Sequence, residues 1–381
     1  MMTLSVVKNL VGPADLARIA LGWGAWAAVL LAHPLLIAPV PAALLLVALG
    51  VIVAVILVCA FGVVTQAEAL ARRLGDPYGS LVLTLSIVLI EVILISAVML
   101  GPGEHETIAR DSVMAVSMII LNLVIGLALL VGGLRHGGLA HNRASTSVYL
   151  SMLVVLVVLG FGLPALLGDG GALALPQEIP VVVLTLGLYA FFLFRQMGAQ
   201  ADDFTEVRRP RPAGVADGRS RSGIREVLAA HRAEIVVRLG VLVLTVAPIV
   251  LLSHDMAALL DDGLGRLGAP SALAGVLIAA IVFLPESLTA IRAALAGEVQ
   301  RVVNLCHGAL VSTVGLTIPV VLVIGMLTDQ RVVLAESPAN LVMLATTLVL
   351  SVATFSARRV TATHGAVHLV LFAAYGIVLF R

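Results

Sequence analysis

The chain has 381 residues, of which 60% are hydrophobic and 12% charged, and its mean hydropathy is +1.12. A soluble core cannot absorb that much Leu, Val, Ile and Ala, so soluble enzymes and nucleic-acid binders are excluded and the chain reads as an integral membrane protein. Lys+Arg 23 against Asp+Glu 22 leaves a formal charge of +1, so only the placement of the charges is informative.

A helix needs roughly 20 apolar residues to cross a bilayer, and by that measure the sequence predicts about eleven spans. They fall at about 19–33, 39–64, 79–101, 110–134, 146–167, 179–195, 234–252, 270–297, 302–327, 338–356 and 362–380. The first is short and is closed by Pro34. No small-residue cleavage site follows directly on a short apolar core, so this N-terminal segment is read as retained. The longest polar stretch, 196–233, holds the densest basic cluster: Arg208, Arg209, Arg211, Arg219, Arg221, Arg225 and Arg232. It divides the membrane part into halves and is expected to meet anionic lipid or to set topology.

With the N-terminus and that loop on the cytoplasmic side, all of the 23 basic residues except Arg110, Arg266, Arg331 and Arg381 fall on the inner side. Lys/Arg bias in short loops sets orientation, so the predicted topology is N-inside and C-outside. The outer loops then carry Glu104, Glu106, Asp169, Glu178, Asp255, Asp261, Asp262, Asp329 and Glu336, a modest anionic surface. Cys59 and Cys306 lie in apolar runs without CxxC spacing, which argues against a disulfide framework, a zinc site or redox chemistry.

The chain repeats itself. Arg73-Leu-Gly-Asp-Pro77 recurs as Arg266-Leu-Gly-Ala-Pro270, and each opens a long apolar helix with one deep glutamate, Glu91 and Glu286. The copies are offset by about 190 to 195 residues, the self-similarity expected of a repeat architecture. The fold class predicted is therefore an all-α membrane protein: a tail and extra helix over 1–38, one five-helix repeat over 39–195, the basic loop 196–233, and a second five-helix repeat over 234–381. An odd number of spans per copy inverts the second relative to the first. Inverted repeats place equivalent residues opposite each other near the bilayer midplane, where transporters hold substrate.

Of 22 acidic residues, only Glu91 and Glu286 lie deep in a predicted span, with Asp111 close to the outer end of another. A charged carboxylate at mid-membrane costs roughly 2.5 to 3.5 kcal/mol on insertion scales, so such residues are seldom idle. Two facing carboxylates are hard oxygen ligands, suited to Ca²⁺ or, with fewer charges, to Na⁺ or K⁺. Burial and a neighbouring like charge both favour a neutral carboxyl, so protons compete for the same oxygens. One site contested by cation and proton is the minimal antiporter.

Further ligands are expected from hydroxyls, amides and freed carbonyls. Thr84 lies about two helical turns before Glu91 on the same face, and Ser287 follows Glu286. Pro285 removes a backbone donor and frees a carbonyl one turn earlier. On the paired second helices, Asn122 matches Ser312 and Thr313 as polar walls of the site or as interhelical hydrogen-bonding residues. Gly126, Gly308 and Gly315 permit close packing. Arg110, Asp111 and Arg292 are read as lying near membrane faces, and His307, His364 and His368 as core histidines. No HExxH, GxSxG or paired intramembrane aspartates is present, which sets an intramembrane enzyme aside. A cation channel would more often arrange its carboxylates as a ring in an oligomer.

These residues resemble the ChaA-type calcium/proton exchangers of the cation/Ca²⁺ exchanger superfamily. The likeness is carried by Gly75 through Ser86 with Glu91, by Ala109-Arg110-Asp111 with Met118 through Asn122, and by Pro285-Glu286-Ser287 through Leu295. Gln300 through Asn304 and Ser312 through Pro319 add to it. It covers nearly the whole chain. The resemblance implies ten core helices plus one extra, no cofactor, and Glu91 and Glu286 binding cation and protons alternately. The implied partners are the transported Ca²⁺, Na⁺ or K⁺, protons and membrane lipid, in a bacterial inner membrane. Many relatives carry Gly-Asn before each glutamate, whereas Ile87–Ile90 and Val282–Pro285 stand here. Both a calcium/proton exchanger and a monovalent cation/proton antiporter therefore stay open.

Overall fold

The computed structural model describes residues 11–74, 85, 88–89, 91–93, 95–96, 99, 106–198, 200–204, 224–270 and 272–380. Helices α1 (Pro13–Ala32), α2 (Ala42–Leu74), α3 (Ile108–Met118), α4 (Ile125–His136), α5 (Arg143–Val157) and α6 (Leu163–Leu167) come first. They are followed by α7 (Leu175–Met197), α8 (Ile224–Arg266), α9 (Ala272–Ala296), α10 (Val299–Thr328), α11 (Pro338–Ser356) and α12 (Ala362–Leu379). Among the described residues there is no strand, only three isolated bridges between loops. Ten stretches among the described residues are long and apolar enough to cross a membrane. The eleventh expected span, about 79–101, lies mostly outside the described residues, but its described positions, Glu91 among them, are helical.

Lipid offers the backbone no hydrogen-bond partner, so each crossing satisfies its own N–H and C=O groups as helix. Two crossings contain π-helical turns, Ile119–Val124 between α3 and α4 and Val158–Gly162 between α5 and α6. The crossing Ile108–His136 is central, 83% of its apolar window being buried, whereas the window of α1 is 6% buried. The extra helix α1 is thus peripheral. It lies on α2 and α8, with the Trp23 indole donating to the Leu244 carbonyl at 3.0 Å.

Helix α8 corrects one expectation. The polar pairs at His254-Asp255 and Asp261-Asp262 read as an outer loop, yet the helix runs on to Arg266. No Gly or Pro interrupts Ser253–Asp262, and each residue there tolerates helix. The apolar stretch beginning at His231 spans 36 residues, about 54 Å at 1.5 Å per residue against a hydrocarbon core of about 30 Å. Its polar end therefore stands clear of the core, where Asp262 pairs with Arg266 at 2.5 Å and accepts the Val40 N–H at 3.0 Å.

The loops gather on two opposite faces. On one, Leu139 bridges Val360, the Asn142 N–H donates to Gln300 at 2.7 Å, and Arg73 pairs with Glu234 at 2.9 Å. On the other, the Val333 N–H donates to the Glu106 carbonyl at 2.9 Å and Arg331 donates to the Asp169 carbonyl at 2.8 Å. Close helix contacts depend on glycine where backbones meet: a Cβ at Gly365 would lie 2.5 Å from the Gly126 carbonyl oxygen, so α12 and α4 touch through bare backbone.

Candidate functional site

Glu91 and Glu286 are brought together in the interior, 4% and 6% exposed, close enough for their charges to act on each other. Glu91 Oε2 accepts a hydrogen bond from the Thr313 hydroxyl of α10 at 2.5 Å. Glu91 Oε1 and both carboxyl oxygens of Glu286 are buried with no hydrogen-bond partner among the described residues. Buried polar atoms are nearly always paired, so carboxyl oxygens left without a partner among the described residues are candidates to hold a ligand or a proton.

Local sequence explains the placement. Pro285 lies inside α9 and gives the Ile281 carbonyl no N–H partner one turn on, so a backbone oxygen is freed on the helix that carries Glu286. A narrow crevice of about 20 Å³ between α2, α8 and α9, walled by Ile56, Ala60, Val63, Ile249 and Val282, ends on Pro285 and Glu286. Its walls are otherwise apolar, which isolates the carboxyl. Cys306 lies within electrostatic range of Glu286 and is buried as a free thiol.

The other candidates are distributed differently. Thr313 meets Glu91, but its neighbour Ser312 turns to α7, where it accepts from the Tyr189 hydroxyl at 2.9 Å. Consecutive helical residues point about 100° apart, so only one of the two faces the carboxyl. The Ser287 hydroxyl donates back to the Phe283 carbonyl at 2.7 Å, and no hydrogen bond joins it to Glu286. Thr84 lies outside the described residues.

Asn122 sits on the π-helical turn, fully buried, and its amide is committed elsewhere. Its Nδ2 donates to Thr347 at 2.9 Å and its Oδ1 meets His368 Nδ1 at 3.2 Å. His368 Nε2 in turn meets the Thr354 hydroxyl at 3.1 Å. With Oδ1 able only to accept, the Nδ1 of His368 carries the hydrogen and Nε2 accepts from Thr354. Asn122 therefore joins α11 and α12 to the central crossing, and no hydrogen bond runs from it to either glutamate.

His307 and His368 are fully buried in packed surroundings, and His364 accepts the Thr361 N–H at 3.1 Å as a helix cap. Tyr189 and Thr347, which hold Ser312 and Asn122, were not singled out by sequence reading. Tyr189 stands out only as the single phenol in an apolar run, and Thr347 has no local signal, since its partner is 225 positions away. Near one face, Arg110 pairs with Asp111 at 2.9 Å and lies 4.0 Å from Glu336.

The sodium/calcium exchanger protein family matches residues 44–198 and 237–381. The sodium-potassium/proton antiporter ChaA of Escherichia coli strain K12 is 32% identical over 329 residues, covering 85% of this chain and 86% of that protein. Among solved structures, native YfkE superposes with a TM-score of 0.67 at 18% identity, covering 96% of this chain and 99% of that one. The H⁺/Ca²⁺ exchanger CAX gives 0.63 at 15% identity, covering 95% and 87%. At these identities the two structures share the fold.

Proposed function

The chain belongs to the sodium/calcium exchanger protein family, integral membrane proteins that transport cations, and on that premise we propose that it exchanges cations for protons at a site built on Glu91 and Glu286. The observation that carries this reading is the pair of buried carboxyls with three oxygens that have no partner among the described residues. Hard oxygens of that kind suit Ca²⁺, Na⁺ or K⁺, and the same oxygens take protons when the cation leaves.

Charge explains why such a site exchanges instead of leaking. Two ionised carboxyls in an apolar interior cost several kcal/mol, so the empty, doubly charged site does not traverse. A divalent cation, a monovalent cation with one proton, or two protons neutralises it, and each such loaded form can pass between the two open states. Thr313 holds one Glu91 oxygen while the other has no partner among the described residues, and the Ile281 carbonyl, left without an N–H by Pro285, offers a neutral oxygen on the helix that carries Glu286. Thr84 is a secondary ligand in this reading from its sequence position alone, and Ser287, Asn122 and Ser312 become ligands only after they exchange or share the bonds they now make.

Two cargo readings have separate support. Two carboxylates match the charge of Ca²⁺, which favours calcium/proton exchange. The 32% identity to a sodium-potassium/proton antiporter favours monovalent cargo, with one carboxyl retaining its proton. The positive residues favour N-inside, C-outside in a bacterial inner membrane.

The test is collapse of an imposed pH gradient in proteoliposomes on separate addition of Na⁺, K⁺ and Ca²⁺, for wild type, Glu91→Gln and Glu286→Gln. At least one cation is expected to release protons in wild type and none in either variant. Normal exchange in both inserted variants would make the glutamates structural, and the responding cation decides between the cargo readings.

A further inference from the structure

Away from the glutamates, a groove of about 550 Å³ opens between α5 and α11. Along α5 its lining runs Arg143, Ser147, Leu150, Ser151 and Val154, and Val352 faces them from α11. Arg143, Ser147, Ser151 and Val154 are exposed and recur once per turn on one stripe, descending about 16 Å from the helix start. This stripe is basic at its end, hydroxylated in the middle and apolar below.

Three features distinguish it from an ordinary lipid-facing surface. No Asp or Glu lines it, and Arg143 has no ion pair or hydrogen bond among the described residues. Arg358 and Arg359, exposed just past the end of α11, are likewise without ion pairs there, and the bridge between Leu139 and Val360 holds their loop beside the one leading into α5. The Ser147 and Ser151 hydroxyls, on the exposed side of α5, make no hydrogen bond among the described residues, although they face the region where lipid offers none. Polar groups at a membrane face without protein partners point to a ligand carrying acceptors.

We propose that this groove is a binding site for an anionic glycerophospholipid. Its phosphate rests on Arg143 with Arg358 and Arg359 behind, its ester oxygens accept from Ser147 and Ser151, and one acyl chain lies along Leu150, Val154 and Val352. Charge complementarity selects the headgroup: a basic recess between membrane helices, with no acidic residue in it, favours a net negative lipid over a zwitterionic one.

The experiment is native mass spectrometry of the full-length protein in mild detergent, titrated separately with phosphatidylglycerol and phosphatidylethanolamine. Wild type is expected to show one saturable site that prefers phosphatidylglycerol. Arg143→Gln is expected to weaken that lipid about fivefold, the factor one juxtamembrane basic residue contributes, and Val352→Trp, which fills the groove, to weaken both lipids. Arg331→Gln on the opposite face is expected to change neither. Equal affinity for the two lipids, or undiminished phosphatidylglycerol binding in Val352→Trp, overturns the proposal even if Arg143→Gln fails to insert. A dimer whose formation displaces lipid also overturns it, since a second copy then covers the groove.

Discussion

The Thr313 hydroxyl donates to Glu91 Oε2 across 222 positions of sequence, tying the glutamate of the first half to a helix of the second. Its neighbour Ser312 faces away to Tyr189, so one turn of α10 serves the carboxyl on one side and helix packing on the other.

Removing that donor leaves a buried carboxyl oxygen bare. Hydrogen bonds to charged groups contribute about 1.5–3 kcal/mol, so Thr313→Val is expected to lower apparent cation affinity roughly tenfold. Thr313→Ser keeps the donor and is expected to stay close to wild type. Concentration dependence of cation-driven proton release measures both, and loss in Thr313→Ser with wild-type affinity in Thr313→Val would show that the methyl group, and not the hydroxyl, matters.

Asn122 and His368 form one bonded unit with Thr347 and Thr354. Asn122→Leu and His368→Leu each orphan a buried partner, which costs about 1–3 kcal/mol. The double variant is expected to lose less than the sum, because the second substitution removes a group already without its partner. Melting temperatures of the purified proteins check this. Strict additivity would argue against the unit, and altered cation preference at unchanged stability would assign Asn122 to the ion site instead.

Gly365 tests the backbone contact between α12 and α4. A methyl there meets the Gly126 carbonyl oxygen at 2.5 Å, while one at Gly376 on the same helix meets nothing within 4 Å. Gly365→Ala is therefore expected to destabilise by about 1–3 kcal/mol, the usual range for overpacking, and Gly376→Ala to be about neutral. Thermal melts in detergent compare the two, and similar melting temperatures would mean that α12 shifts without strain.

Glu336 lies in the loop ahead of α11 and is 5% exposed. Burial pushes its carboxyl above the usual carboxylate range and the Asp111 charge acts in the same sense, while the Asn340 amide, Arg110 and the Ser337 N–H oppose them. The folded state thus holds this proton more tightly than the unfolded chain. Its contribution to stability is complete below the ordinary carboxyl value of about 4.3 and is lost as pH rises through the raised one. Glu336→Gln is expected to melt with wild type near pH 4 and above it near pH 8. A variant that melts lower at both values by the same amount would show that the neighbouring Arg110 charge outweighs burial.

The amino-acid sequence by itself determined that the chain crosses a membrane as helices, because lipid forces every crossing to satisfy its own backbone and so leaves a run of about 20 apolar residues for each. It also singled out Glu91 and Glu286, since a carboxyl placed deep in such a run is too expensive to be incidental. The extension of α8 through Asp255 and Asp262 was not legible, because a polar helix end beyond the hydrocarbon core has the same composition as a loop. Only the tertiary structure decided that Thr313 meets Glu91, that Ser312 faces Tyr189, and that Asn122 is held by Thr347 and His368. Those partners are 123 to 246 positions apart, and a hydroxyl or amide inside an apolar helix carries no local mark of which neighbour packing will bring to it.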